Sequence, residues 1–370
     1  DRLQYFLLNG ADVNCPNHHG RTALHKASEV GRVEAVKFLL DEGSADWEIK
    51  DEEGLNALLY AVQGNHNKAL PLLLAKKHKD TQSVDDALEY CVGNENIEGV
   101  QLLLNGGGPN GTPPANPNSD AKPLLMAAQH GSEDIALCLL DHGALCNVQC
   151  EGRHNTPLHY AIKNKLKNLV KGLLEQGADI NMAGKSGRTP LFLSMKHFPD
   201  CVPLLLEYKP SMDAADDFGN TPLHEAAALH RIQQVAMLIK AGANVNAQNK
   251  EMETPLLRTI RGGEEDCESY KIEKSMLATI QLLLKNDANP NASARGGDNP
   301  LCSSLKNEYD SVAKALLEAG AEPNQMDHKN RTPLYLATDS HNTNMVKLLL
   351  DTYEADPNFG SDGHCDTLLC

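Results

Sequence analysis

The sequence lacks the signals that identify several broad classes of protein. None of its apolar stretches approaches the roughly 18 residues that a membrane-spanning helix requires, and an obvious one, 69–75, is interrupted by Pro71. It has no surplus of positive charge, because 50 acidic residues outnumber 34 basic ones and give a formal net charge of −16. Such an acidic chain is not expected to bind nucleic acid in general. We therefore predict neither nucleic-acid binding nor membrane insertion within this segment.

The sequence also lacks the short motifs that carry common enzyme chemistry. It contains no GxSxG, HExxH, Walker or dinucleotide-binding pattern. The glycine run at 106–108 is followed by Pro109 and Asn110, and a phosphate-binding loop would need a Lys-Ser/Thr pair and a helix start there. We predict no catalysis and no cofactor within these residues.

Ten cysteines are present, but they share no spacing that would indicate a disulfide framework. Reduced, packed thiols of a cytoplasmic or nuclear protein are the better interpretation. The most tempting metal cluster has four residues at intervals of four, namely His142, Cys146, Cys150 and His154. Gly143 is expected to end the helix within this run, so the helical spacing of zinc ligands does not apply. We predict no metal site.

What the sequence does contain is a Thr-Pro-Leu-His-like motif that recurs at a step close to 33 residues. Its first position falls at Thr22, Asn56, Asp86, Lys122, Thr156, Thr189, Thr221, Thr254, Asn299, Thr332 and Asp366. Threonine is a good N-cap residue, and proline suits the first helical position because no backbone donor is needed there. Each motif therefore predicts the start of a helix.

A second apolar signal follows most motifs after 17 and 18 residues, as at Leu39-Leu40 and Leu139-Leu140. A pair at this spacing indicates the buried stripe of a second helix. A glycine such as Gly143 or Gly242 would end that helix in the left-handed conformation. A turn around a further glycine then closes a hairpin-like finger before the next motif. Each unit is predicted as helix, turn, helix and finger, stabilised by stacking on its neighbours.

The T-P-L-H-x-A motif at this period resembles the ankyrin repeat, and the resemblance covers essentially the whole chain. It implies an all-α ankyrin-repeat solenoid with about ten full repeats and partial repeats at both ends. The chain opens with Leu7-Leu8 in the second-helix position and closes with Asp366 in the motif position. We therefore expect residues 1–370 to be an excerpt of a longer array.

The period is shortest between Asn56 and Asp86, which are only 30 residues apart. Residues 76–85 lack the sequence of a finger, although Asp86 is still expected to serve as an N-cap. This junction is predicted to be the weakest interface of the array.

Two insertions are expected elsewhere. Residues 105–121 are rich in Gly, Pro and Asn, which predicts a flexible, solvated finger insertion or alternatively a hinge. The 45-residue step after Thr254 places an acidic insertion at 262–275, between the two helices of one repeat. It is expected to form a solvated protrusion or an added helical turn, with a docking role as the alternative.

Charge is unevenly distributed, since residues 153–197 contain eight basic and two acidic side chains. The family resemblance implies that partners bind along a concave groove made of first helices and finger tips. On that basis the partner-binding candidates are Arg153, Lys163, Lys185, Arg188, Lys196 and His197. A basic strip in an acidic chain predicts an acidic or phosphorylated peptide as partner. The alternative is that these are ordinary solvated side chains.

The resulting hypothesis is a protein–protein interaction scaffold without chemistry of its own. One alternative is the substrate-recognition arm of a larger enzyme, such as a ubiquitin-ligase adaptor or a kinase. Another is the cytoplasmic tether of a channel or a cytoskeletal linker. The resemblance further implies that finger asparagines at Asn14, Asn181 and Asn246 are possible sites for asparaginyl hydroxylases. An added oxygen in the mass of those peptides from the native cell is the check.

Overall fold

The fold is an array of short helices joined by tight turns. The computed structural model describes residues 2–76, 81–107, 111–120, 122–262 and 269–359. Within those ranges all regular secondary structure is helical, which confirms the all-α prediction. The chain divides into two compact units, Asp1–Asp179 and Ile180–Cys370.

The first unit stacks its helices in two layers. The first helices of successive repeats, α2, α4, α6, α8 and α10, pack side by side, and the second helices, α3, α5, α7, α9 and α11, do the same behind them. The helices are α1 Arg2–Leu8, α2 Ala23–Glu29, α3 Val33–Asp41, α4 Ala57–Gln63, α5 Leu70–Leu74, α6 Thr81–Gly93, α7 Ile97–Asn105, α8 Pro123–His130, α9 Glu133–Asp141, α10 Pro157–Lys163 and α11 Lys167–Glu175.

The second unit repeats the arrangement, with α12, α14, α16, α18 and α20 in succession as its first-helix layer. Its helices are α12 Pro190–His197, α13 Val202–Glu207, α14 Pro222–Ala228, α15 Ile232–Lys240, α16 Pro255–Arg261, α17 Ser269–Lys285, α18 Pro300–Lys306, α19 Asp310–Glu318, α20 Pro333–Asp339 and α21 Thr343–Lys347. None of the described helices is both long and apolar enough to cross a membrane.

Nine of the eleven motif positions directly precede a helix, as predicted; Asp86 does not, and Asp366 lies outside the described residues. Thr221 precedes α14, and its backbone N–H donates to Nδ1 of His224 at 3.1 Å. Because Nδ1 accepts this bond, the ring proton is on Nε2, which donates to the carbonyl oxygen of Glu253 in the next repeat at 2.9 Å. His25 makes the equivalent pair of bonds. The motif histidine therefore caps its own helix and also joins adjacent repeats.

The second-helix pairs form the core between the layers. Leu39, Leu139 and Leu238 are at most 2% exposed, because they face the first helix of their own repeat and the neighbouring second helix. The helices end at glycines with positive φ, 82° at Gly143 and 94° at Gly242, as the sequence predicts.

The break before Asp86 differs from the prediction. Asp86 is not an N-cap, because α6 begins five residues earlier at Thr81 and runs through it. Its carboxylate instead accepts from the side chain of Gln82 at 2.8 Å. Residues 81–85, where another repeat would have the end of its finger, belong to α6.

The described part of the 105–121 segment is not an independent flexible loop. Thr112 donates its backbone N–H to Leu74 O and its hydroxyl to Lys76 O, both at 2.8 Å, at the end of α5. Ala115 is 3% exposed, and Asn116 N donates to Oδ1 of Asp85 at 2.7 Å. The insertion therefore covers the end of the repeat that has no finger.

The second predicted insertion, 262–275, falls partly outside the described residues. Its last part belongs to α17, which has 17 residues where the other second helices have nine or fewer. A docking role for this insertion stays a prediction.

Candidate functional site

The fingers are held by a recurring turn that begins with Asp or Asn. Oδ1 of this residue accepts the backbone N–H groups two and four positions later, at 2.8–3.0 Å. The residues in this position are Asn17, Asp51, Asp216, Asn249 and Asp327. Such side chains tolerate tight turns because they replace a backbone acceptor. Each finger is thus fixed locally before it meets a neighbour.

Adjacent fingers are also joined by backbone bonds. In the second unit Asp217 N donates to Ser186 O at 2.9 Å, Lys250 N to Phe218 O at 3.0 Å and Arg295 N to Glu251 O at 2.7 Å. Gly219 has a φ of +82°, and a Cβ there would lie 2.8 Å from the backbone N of Lys250. The finger tips of this unit are therefore closely packed against each other beside the first-helix layer.

Of the six predicted partner-binding residues, two lie in the first unit. Arg153 is exposed in the turn of a finger, and Lys163 is the exposed last residue of α10. Arg153 precedes α10 and Lys163 ends it, so the helix of seven residues lies between them. The remaining four, Lys185, Arg188, Lys196 and His197, belong to the second unit.

Within the second unit Arg188 and Lys196 both lie close enough to Glu225 of α14 for their charges to act on its carboxyl group. The Arg188 guanidinium stands over the ring of Phe192 at 5.3 Å, which keeps it half-buried beside α12. Its Nε lies 3.8 Å from Oδ2 of Asp216, too far for a hydrogen bond. Lys196 is exposed in the last turn of α12. Lys185 and His197 lie at the finger and at the helix end respectively.

A residue that sequence reasoning missed lies between them. Glu225 is half-buried on α14, four positions after Thr221. Burial raises the pKa of its carboxyl group, and the positive charges of Arg188, Lys196 and Arg258 offset part of that rise. The signal in the sequence was this fourth position, where Glu225 is the only acidic residue among all the repeats.

In the first unit, the residues at the same repeat positions as Arg188, Asp216 and Glu225 are ion-paired or hydrogen-bonded to each other. Arg21 occupies the position of Arg188, and its Nε lies 3.1 Å from Oδ2 of Asp51. Tyr60, in the position of Glu225, donates its hydroxyl to the same Oδ2 at 2.7 Å. In the second unit Asp216 Oδ2 is buried and has no hydrogen-bond donor in the described structure.

Further along the second unit, acidic and basic side chains form ion pairs with each other. Asp298 accepts from Arg261, Lys306 and His328 at 2.7–2.8 Å. Burial would raise the pKa of Asp327, but bonds from the Arg331 backbone N–H and from Lys306 outweigh it and hold that pKa well below its usual range. This ion network stabilises the fingers and leaves little charge for a partner.

Two metal arrangements can be compared with this geometry. Asp298, Asp327 and His328 bring ligand atoms within 4.8 Å of one another, but the Lys306 ammonium already bridges the two carboxylates at 2.8 and 3.0 Å. The other arrangement is the group at intervals of four residues, His142, Cys146, Cys150 and His154. There the ring of His142 bonds to its own helix, and Cys150 Sγ lies 3.6 Å from the Tyr160 hydroxyl. Neither arrangement supports a metal site in the described residues.

The three candidate asparagines serve as links between repeats. Asn14, Asn181 and Asn246 each accept a backbone N–H of the following repeat through Oδ1 at 2.8 Å, from Asp46, Ser211 and Asn289. These bonds give the asparagines a structural reason to be present. Hydroxylation stays a prediction.

Comparison with known proteins agrees with the repeat geometry. The family model described as ankyrin repeats matches residues 1–85, 88–184, 177–249, 232–327 and 269–360. The chain is 23% identical to the human transient receptor potential cation channel subfamily A member 1, over 95% of this chain and 38% of that protein. It is 33% identical to the mouse ankyrin repeat and SOCS box protein 16, over 57% of this chain and 46% of that protein. The chain spans less than half the length of these two relatives.

Proposed function

Since the chain belongs to the ankyrin-repeat family, we propose that it is an interaction scaffold that binds a partner protein or peptide along its first helices and finger tips. Repeat arrays of this kind use extended surfaces for binding. The segment performs no chemistry in this proposal, and its working compartment is the cytoplasm, with the nucleus as the alternative. The seven cysteines in the described residues are free thiols, which supports a reducing compartment.

The partner that fits best is an acidic or phosphorylated peptide. The observation that carries this is that the charges of Arg188, Lys196 and Arg258 all act on the carboxyl group of one residue, Glu225. Lys196 is exposed to solvent, and the guanidinium of Arg188 is held in place by Phe192. A preformed cluster of cations attracts anionic side chains and speeds their encounter.

The test is charge reversal on the proposed surface against charge reversal on the opposite layer. The variant Lys196→Glu should weaken binding of a partner recovered by pull-down at least tenfold and reduce the salt dependence of its affinity. The matched control is Lys240→Glu, an exposed lysine on the second helix α15 of the same unit. Equal loss in both variants would mean that net charge, and not this surface, governs binding.

Two alternatives concern the whole protein. The similarity to a SOCS box protein supports a recognition arm of a larger enzyme such as a ubiquitin-ligase adaptor. The similarity to a cation channel over 95% of this chain supports a tether of a channel instead. The complete open reading frame separates these cases, since it reveals a SOCS box, a kinase motif set or a cluster of membrane helices.

A further inference from the structure

Glu225 and Asp216 form an unusual pair in the groove of the second unit. Asp216 uses Oδ1 for the finger turn, while its buried Oδ2 receives no hydrogen bond from the described residues. In the first unit the equivalent oxygen, on Asp51, receives the Tyr60 hydroxyl. By its position in the repeat Glu225 corresponds to Tyr60, and an ionised carboxylate has no proton to donate. The second unit therefore lacks a donor where the first unit has one.

Glu225 is also held in a partly desolvated position without a hydrogen-bond donor of its own among the described residues. The charged groups that act on it come from the finger (Arg188 and Asp216), from α12 (Lys196) and from α16 (Arg258). In the described structure none of the three cations makes a close ion pair with it. Two of these cations also lie near other carboxylates, Arg188 at 3.8 Å from Asp216 and Arg258 at 3.7 Å from Glu253. An additional negative charge would therefore compete with Glu225 for cations that are already shared.

We propose that Glu225 acts as a proton-linked specificity residue: an acidic side chain of the partner binds between Arg188, Lys196 and Arg258, and Glu225 takes up one proton from solvent. The new carboxylic O–H then donates to Oδ2 of Asp216, as Tyr60 does to Asp51. This inference rests on the proposed function, because it uses the same cationic surface. It adds that ionised Glu225 opposes acidic ligands and that binding is linked to proton uptake.

Burial of Glu225 is consistent with this linkage, since it raises the pKa of the carboxyl group in the free protein. A second anion nearby would raise it further, because like charges disfavour ionisation. Affinity for an acidic ligand should therefore increase as the pH falls from about 7.5 to about 5.5. A glutamine at this position would be neutral and could donate its amide to Asp216 at every pH.

The experiment uses the full chain and a rhodamine-labelled hexaglutamate peptide, with binding followed by fluorescence anisotropy. In wild type the affinity should rise about fivefold over the pH range given above, the size of one partly screened charge interaction. Glu225→Gln should bind about fivefold more tightly at the upper end of that range and lose most of the pH dependence. The wild-type and Glu225→Gln measurements are repeated in a His197→Gln background, because protonation of that histidine would also favour an acidic ligand.

The matched control is Glu318→Gln on α19, an exposed acid of the same unit that faces Lys314. It removes the same charge from the chain and should behave as wild type. If both glutamine variants change affinity equally, or if Glu225→Gln keeps the full pH dependence, the inference is wrong. If Lys196→Glu abolishes binding while Glu225→Gln has no effect, the proposed function stands without it. Absence of binding by every variant would contradict both.

Discussion

Replacing His224 tests the contribution of a side chain that caps one helix and also joins two repeats. His224 is 1% exposed, and it links the Thr221 N–H to the Glu253 carbonyl oxygen through its two ring nitrogens. In His224→Ala both backbone groups lose their partner. A buried group without a partner costs about 1–3 kcal/mol, and the cavity left by the ring adds about 1 kcal/mol. We expect the free energy of unfolding of the second unit to fall by about 3–7 kcal/mol.

His224→Gln separates the two roles. Glutamine at the third helical position can still reach back to the N-cap residue, but its single terminal amide cannot at the same time donate to Glu253 of the next repeat. The expected loss is therefore only about 1–2 kcal/mol. His130→Ala, at an exposed helix end, is the control and should change stability by less than about 0.5 kcal/mol.

The assay is urea denaturation followed by circular dichroism, together with hydrogen exchange of backbone amides, because stacked repeats can open in blocks. The Thr221 amide should exchange faster in the alanine variant. Equal losses for the alanine and glutamine variants would refute the two-role argument, and a loss below about 1 kcal/mol for alanine would refute the magnitude.

The stability difference between wild type and His224→Ala should depend on pH, and the direction follows from the pKa of His224. Burial lowers the pKa of His224, so the folded state resists protonation. Its contribution to stability is complete above the unfolded value of about 6.5 and is lost as the pH falls through the folded value. The difference between wild type and His224→Ala should therefore shrink between about pH 7 and about pH 5.

Two further predictions concern other contacts. Asp327→Asn keeps the finger turn, as Asn249 does, but it loses the charged bonds to Lys306 and Arg331. Calorimetry should therefore show a free energy of unfolding that is lower by about 2 kcal/mol. Since the pKa of Asp327 is lowered in the folded state, this stability is present above about pH 4 and is lost below it, and the variant should show a flatter acid limb. Thr112→Val leaves Lys76 O without its 2.8 Å donor and should cost about 1 kcal/mol, with faster amide exchange confined to residues 70–92.

The break around Asp86 shows where reasoning from the period fails. The sequence correctly indicates that residues 76–85 do not form a finger, because the Gly-Ala-Asp-Val-Asn pattern is missing. It does not indicate that α6 extends back to Thr81 or that Thr112 bonds to the end of α5. Composition alone makes the 105–121 segment look flexible, since a Gly- and Pro-rich stretch has no periodic pattern to read. The partner of the Thr112 hydroxyl is 36 residues away in the chain.

The groove illustrates the same limit for function. The sequence identifies Arg188 and Lys196 as candidates from net charge and repeat position. It marks Glu225 only as the one acid at the fourth position of the motif, and that signal has no functional meaning until its neighbours are known. Burial, the missing donor at Asp216 and the surrounding cations all depend on adjacent repeats.

The sequence by itself determined the repeat, the start and end of most helices and the buried leucine pairs. These features follow from contacts within one repeat of about 33 residues or with its nearest neighbours. The tertiary structure alone decided how irregular segments are covered and which charges face each other, as at Thr112 and Glu225. The physical reason is that local propensity and periodicity are properties of consecutive residues, whereas the energy of a charge or an unpaired oxygen depends on whatever the stacking brings next to it.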